Sequence, residues 1–260
     1  MTYCCAIKVN DGLVFAGDTR TSAGVDDVRS YAKLHTFEAA GERIFIMLSA
    51  GNLATTQSVI NNAWRDWNNP AAAASLKTMR HMYDAAEYIG QLSVKAQRDA
   101  SSNVQTTVDF RTTLIVGGQI MGEEPSLYLI YPEGNCISAS PEMPFLQIGE
   151  LKYGKPILDR IIRPLTSLED AARCALVSLD STMKSNLSVG PPIDVAILPR
   201  DALTITHKIR FDLDTPFYAA LKKAWGESLE RVFRDLPRFD WEQQLPQGTL
   251  EFQQQQQQRN

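Results

Sequence analysis

Strands and helices fall in blocks along this chain instead of alternating, and that order constrains its fold more than any other feature of the sequence. The β-rich run Tyr3 to Lys8, the turn sequence Asn10-Asp11-Gly12 and the apolar run Leu13 to Asp18 predict an opening hairpin. A second hairpin is expected from Lys33–Glu38 and Arg43–Ser49 around Ala40-Gly41-Glu42; the near-continuous apolar stretch in Arg43–Ser49 suits a strand covered on both faces. Helical spacing then runs from Asn52 to Trp67, where Asn68-Asn69-Pro70 stops it, and again from about Ser75 to Ala100. After a polar loop over 101–109 come strands at Phe110–Gly117, Ser126–Tyr131 and Asn135–Ala139. Ser167 and Asp170 resemble a capping box that opens a helix towards Asn186. Strands at Ile193–Leu198 and Leu203–Phe211 follow, then a helix from Thr215 to Leu236. Segregated runs of this kind predict an α+β domain in which two antiparallel sheets pack face to face with helices outside. One domain is expected over 2–245, followed by a polar tail over 246–260 whose glutamine tract, Gln253 to Gln258, has no apolar face to bury and is expected to be disordered.

At 260 residues, 44% of them hydrophobic, the chain can bury a core without help from a metal or a disulfide. The four cysteines, Cys4, Cys5, Cys136 and Cys174, have no C-x-x-C spacing and read as buried thiols of a reducing compartment. The N-terminus lacks the basic and apolar regions of a signal peptide, and no stretch approaches the roughly 20 apolar residues of a membrane span, so a cytoplasmic protein with no membrane partner is expected. A net charge of −4 gives no basic surface for phosphate backbones, which argues against nucleic acid. His35, His81 and His207 lack metal-ligand spacing, and there is no Gly-x-Ser-x-Gly elbow for a serine triad. Gly149-Glu150-Leu151-Lys152-Tyr153-Gly154-Lys155 mimics a phosphate-binding loop, but Pro156 stands where that loop needs a serine or threonine. No metal and no cofactor is implied.

The chemistry is expected at Thr2. A small second residue permits removal of Met1, which would leave Thr2 with a free α-amine beside its own hydroxyl. An α-amine titrates ordinarily at about 7.7 to 8.0, so a useful fraction is neutral at cellular pH and can accept the hydroxyl proton. Base and nucleophile then reside on one residue. Further along, Phe15 to Arg20 ends an apolar strand in Asp18-Thr19-Arg20, Lys33 opens another strand, and Leu48-Ser49-Ala50-Gly51 precedes a helix.

In order and approximate spacing these elements resemble the proteasome β-subunit pattern. The resemblance is closest to the bacterial proteasome-like family called Anbu, through Gly24-Val25-Asp26-Asp27, the run from Ile148 to Arg160, and Ser185 to Gly190, and it covers most of residues 2 to 236. It implies a four-layer α-β-β-α sandwich of the N-terminal-nucleophile hydrolase type. It also implies a threonine peptidase or amidohydrolase that works through an acyl-enzyme on Thr2, with Lys33 as the neighbouring cation, Asp18 as its partner and the Gly51 N–H as oxyanion donor. Arg20 is implied as structural support. Asp180 falls where the family's second supporting aspartate would be, with Ser181 or Ser185 as its companion serine. The chain departs from proteasome subunits at Ile148-Gly149-Glu150-Leu151, where they carry Gly-Ser-Gly-Ser, so one family serine is missing. By resemblance the partners are a peptide or amide substrate and further copies of the chain, in rings or a ring-like spiral. Two alternatives stand beside this reading: an amidohydrolase of the same mechanism acting on small amides, and a catalytically silent assembly subunit. The chain's start at Thr2, with no extension ahead of the first strand, argues against the latter.

Overall fold

A computed structural model describes residues 1–22, 28–102 and 108–242. The Gly24–Asp27 run and the glutamine tract lie outside the described residues, as does the expected boundary at 245. Strands β1 (Tyr3–Val9) and β2 (Gly12–Asp18) form the opening hairpin, and β3 (Arg20–Ser22) pairs with β4 (Val28–Ser30) in a small ribbon. Next come β5 (Leu34–Ala39), β6 (Arg43–Gly51), α1 (Leu53–Asn68), α2 (Met82–Ser101), β7 (Thr112–Ile120), β8 (Ser126–Ile130), β9 (Cys136–Ser138) and β10 (Phe145–Gly149). The chain continues through α3 (Lys155–Ile161), α4 (Leu168–Ser185), β11 (Ile193–Pro199), β12 (His207–Phe211) and α5 (Pro216–Arg234).

These residues fall into two compact units, divided between Ala219 and Ala220. The first holds two five-stranded antiparallel sheets, ordered β10-β1-β2-β11-β12 and β5-β6-β7-β8-β9. Their facing sides enclose a core of Cys4, Ala6, Phe15, Ile46, Leu48 and Ile115 with their neighbours. A second core, with Phe45, Met47, Val59, Ile89 and Val116, lies between the second sheet and the pair α1 and α2. On the far side α4 packs against β1 and β2. The four layers α-β-β-α follow, and they explain the continuous apolar runs: successive side chains on a strand point to opposite faces, and here both faces are buried. In β1, Cys4 and Ala6 enter the core between the sheets, while Tyr3 turns the other way and meets Ser178 on α4. In the second unit, i,i+4 ion pairs join Lys223 to Glu227 and Glu230 to Arg234, and the rings of Phe239 and Trp241 stack at 4.3 Å. Among the described residues no helix is long and apolar enough to cross a membrane.

Several elements depart from sequence expectation, the unexpected ribbon of β3 and β4 among them. Helix α2 starts at Met82, not near Ser75, because residues 75–79 are spent in turns whose carbonyls at Leu76 and Met79 accept from the Arg43 guanidinium, and His81 with Asp84 forms the actual capping box. Strand β10 and helix α3 occupy the segment between Ala139 and Ser167, for which no element is expected from the sequence. β10 is only five residues long, and it earns its strand character by pairing along β1, from Tyr3↔Gly149 to Ile7↔Phe145. That pairing is antiparallel, so the look-alike phosphate loop that follows lacks the parallel strand it would need.

Candidate active site

The ends of β2, β6 and β10 and the residue before β5 converge on the start of β1. Asp18 is the last residue of β2, held in register by Ile193 of β11, and it is fully buried. Lys33 precedes β5, and its carbonyl accepts from the Ser49 N–H of β6, which fixes its backbone. Its ammonium, on a residue 6% exposed, donates to Asp18 Oδ1 at 2.7 Å and to the Arg20 carbonyl at 2.7 Å. The same carboxylate accepts from the Tyr3 N–H at 3.0 Å, and its other oxygen accepts from the Gly190 N–H at 3.2 Å. Asp18 therefore ties the lysine to the peptide unit that follows Thr2. Burial pushes its carboxyl above the ordinary range, opposed first by the Lys33 ammonium and then by the two backbone donors.

Thr2 is half-buried and is held from behind. Its carbonyl accepts from the Glu150 N–H at 2.7 Å, an approach that Gly149 makes possible: φ there is +88°, and a Cβ would overlap the Thr2 carbonyl oxygen. Tyr3 is an anchor, its phenol bonded to Ser178 Oγ and to the Gln147 amide, each at 2.6 Å. In front of Thr2 opens a cavity of about 350 Å³, lined also by Thr21, Lys33, Ser49, Gly51 and Thr56. Gly51 ends β6 at φ +112°, where a Cβ would overlap the Arg111 carbonyl, and the next residue, Asn52, caps α1 through its side-chain oxygen on the Thr55 N–H. The terminal α-amine, carried in this structure by Met1, lies below its ordinary value. Burial is the main cause and the Lys33 cation the second, while Asp18 and Glu150 pull the other way. Cys4 and Cys5 beside Thr2 are fully buried, and burial pushes the Cys5 thiol up to about 12 and that of Cys4 well above its usual value, so neither offers a thiolate.

Thr2, Lys33 and Gly51 thus share one cavity, with Asp18 bonded behind the lysine. Arg20 lies one shell out: its guanidinium donates to the Leu187 carbonyl at 2.7 Å and lies against Gly190, where a Cβ would strike it. Asp180 and Ser185 are not brought in. Among the described residues no hydrogen bond or ion pair joins either to residues 2, 18 or 33. Asp180 is buried on α4 and pairs with Lys184 at 3.2 Å. The loop after α4 reaches the site through the helix C-cap, Asn186. Its amide donates to Glu150 Oε2 at 3.2 Å and contacts the Met1 sulfur at 3.8 Å. Sequence reasoning gave neither Glu150 nor Asn186 a functional role, using both only within the runs that carry the family resemblance and Asn186 also as a helix end. The available signal was a glycine followed by an acid at the end of an apolar run, in the place of the missing family serine.

The family model described as "Proteasome subunit" matches residues 2–198. Among solved structures the chain is similar to Anbu (ancestral beta-subunit) from Yersinia bercovieri, with 44% identity over 92% of this chain and 99% of that one and a TM-score of 0.86. It is likewise similar to the chain of the helical assembly of the Anbu complex from Pseudomonas aeruginosa, with 44% identity, 92% and 98% coverage and a TM-score of 0.87. Among curated proteins, the proteasome subunit beta of Haloquadratum walsbyi is 24% identical over 217 residues, 81% of this chain and 79% of that protein.

Proposed function

Because the chain belongs to the proteasome subunit family, on its Anbu-type branch, we propose that it is an N-terminal threonine amidohydrolase that cleaves peptide bonds once Met1 has been removed. The observation that carries this reading is the buried Lys33 ammonium, fixed by Asp18 at 2.7 Å and facing the same cavity as Thr2.

In the processed chain the α-amine of Thr2 takes the proton from Thr2 Oγ1 as that oxygen attacks the scissile carbonyl. The nearby cation favours the alkoxide over the alcohol and disfavours a second positive charge on the amine. Negative charge developing on the carbonyl oxygen is met by the Gly51 N–H at the mouth of α1. Collapse of the tetrahedral adduct breaks the C–N bond, the α-ammonium returns its proton to the leaving amine, and an ester remains on Thr2. Water then attacks that ester with the α-amine again as base, which frees the acid and restores the hydroxyl. Arg20 supports the arrangement through its carbonyl, on which Lys33 donates, and through its hold on the loop at Leu187.

Beside Thr2 the cavity is lined by small or neutral side chains, Thr21, Ala32, Ala50, Leu53 and Thr56, which suits an uncharged substrate side chain. Self-assembly is part of the proposal: the Pseudomonas aeruginosa relative is described as a helical assembly, and copies of this chain are expected to associate with one another.

The test is intact mass after treatment with a peptide epoxyketone, which needs both a hydroxyl and a free amine on one residue. A chain that has lost Met1 and gains one adduct supports the mechanism, whereas a processed wild-type chain that stays unlabelled argues for a silent assembly subunit. Thr2→Ala should abolish both labelling and turnover; turnover surviving in that variant overturns the assignment. Profiling peptides against small amides decides the substrate class.

A further inference from the structure

Besides Lys33, the start of β1 meets a second charge that the mechanism above does not use. Glu150 follows Gly149 directly, and its N–H donates to the Thr2 carbonyl at 2.7 Å, so its backbone is pinned to the nucleophile residue. Its side chain is pinned as well: Oε2 accepts from the Asn186 amide at 3.2 Å, and the same amide contacts the side chain of Met1 at 3.8 Å. Asn186 is itself fixed, its backbone N–H bonded to the Thr182 carbonyl at 2.8 Å and its side-chain oxygen accepting from the Ser188 N–H at 3.0 Å. A half-buried acidic residue is thus held by its backbone on Thr2 and by one carboxylate oxygen on Asn186, next to the residue that Met1 excision would expose.

We propose that Glu150, oriented by Asn186, is a positioning residue that holds the newly freed α-amine of Thr2 and acts as the counter-charge to Lys33. The inference rests on the threonine-nucleophile reading and adds to it a device this chain carries in the place of the missing family serine. Three charged groups act on the terminal amine that Met1 carries: Lys33 ahead of β5, Asp18 at the end of β2 and Glu150 after β10, while Arg20 on β3 turns its guanidinium away to the Leu187 carbonyl. At the Met1 amine, burial and Lys33 disfavour the ammonium whereas the carboxylates favour it, and the same charges flank Thr2, which shares the Lys33 cavity and whose carbonyl is bonded to the Glu150 N–H. Asp18 is already bonded to Lys33 and to two backbone donors, whereas among the described residues the Glu150 carboxylate accepts only from Asn186, so Glu150 is the carboxylate better placed to answer changes at the amine.

A carboxylate that favours the ammonium raises the pH at which the amine becomes a base. Removing it lowers that pH. In Glu150→Gln, which keeps the size of the side chain, the acid limb of the epoxyketone labelling rate against pH should therefore move down by roughly 0.5 to 1 unit. Its plateau should fall as well, because the amine is held less firmly. Asn186→Ala, which leaves the carboxylate in place but unclamped, should move the limb the same way by less. An acid limb that stays at the wild-type pH or moves upward in Glu150→Gln, with the wild type labelled normally, overturns the proposal. Failure of the wild type to label at any pH instead overturns the threonine mechanism beneath it. If Glu150→Gln does not fold, the midpoint of Asn186→Ala decides, and no movement there counts against the inference.

Discussion

Replacing Lys33 by methionine removes the ammonium while roughly keeping the length of the side chain, and leaves the Asp18 carboxylate facing an apolar neighbour. The wild-type pair is 2.7 Å apart, with Asp18 fully buried and Lys33 6% exposed. Breaking a buried pair by deleting one partner costs about 3–5 kcal/mol, which for a unit of this size lowers the melting temperature by roughly 6–20 °C. The Tyr3 and Gly190 N–H groups still reach the carboxylate and place the cost nearer the lower end. The loss depends on pH in a direction that can be worked out. Burial already raises the Asp18 carboxyl, and Lys33 is the largest opposing influence, so without the lysine its folded-state pKa climbs further. For an acid whose pKa is higher folded than unfolded, the penalty is fully present above the folded value and disappears as pH falls through it towards the unfolded value near 3.9. Urea unfolding at fixed protein concentration should therefore show a larger deficit for Lys33→Met at pH 7.5 than at pH 5. The double variant Asp18→Asn/Lys33→Met should regain most of it, and both should lose labelling by at least about 10³-fold. A deficit under about 1 kcal/mol at pH 7.5, or one equal at the two pH values, refutes the account of Asp18 and Lys33 as an interdependent buried pair.

Gly149→Ala forces a Cβ onto the Thr2 carbonyl oxygen at a positive φ; it should displace Thr2 and cut the labelling rate by more than about 100-fold while processing and far-UV circular dichroism change little. Tyr3→Phe strands Ser178 and Gln147 without their shared phenol and should cost about 1–3 kcal/mol in urea unfolding; an unchanged midpoint counts against the anchor. Because the Lys33 ammonium lines the same cavity as Thr2 and disfavours a second cation there, the acid limb of labelling by the processed wild type should lie below about 8, the ordinary α-amine value, and a limb above about 8 contradicts the electrostatics described.

What could be read in the sequence was what neighbouring residues decide among themselves. The hairpin around Asn10-Asp11-Gly12, the strand over Arg43–Gly51, the helix that starts after Asn52 and the one capped by Ser167 all carry their own turn, cap or period, and each lies within a few residues of its expected place. β10 carries no such mark: its five residues become a strand because β1, more than 130 residues earlier in the chain, offers it an edge. The site divides in the same way. Thr2 was legible from the chemistry of a terminal amine and hydroxyl, whereas Asp18, Lys33 and Gly51 needed a resemblance to join them. Glu150 and Asn186 lie 36 residues apart, and only the packing of α4 beside β1 sets one amide on the other's carboxylate.

The sheet register has a consequence for maturation. The ladder between β1 and its neighbours begins with Tyr3↔Gly149 and Cys4↔Gly17, and the bonds nearest the terminus are made by the Thr2 carbonyl and the Tyr3 N–H. Met1 stands outside this lattice, so trimming it takes away no main-chain tie. On the threonine-nucleophile reading proposed above, a newly made chain would complete its tertiary structure while still inert and become competent through the loss of one protruding residue, with no refolding between the two states.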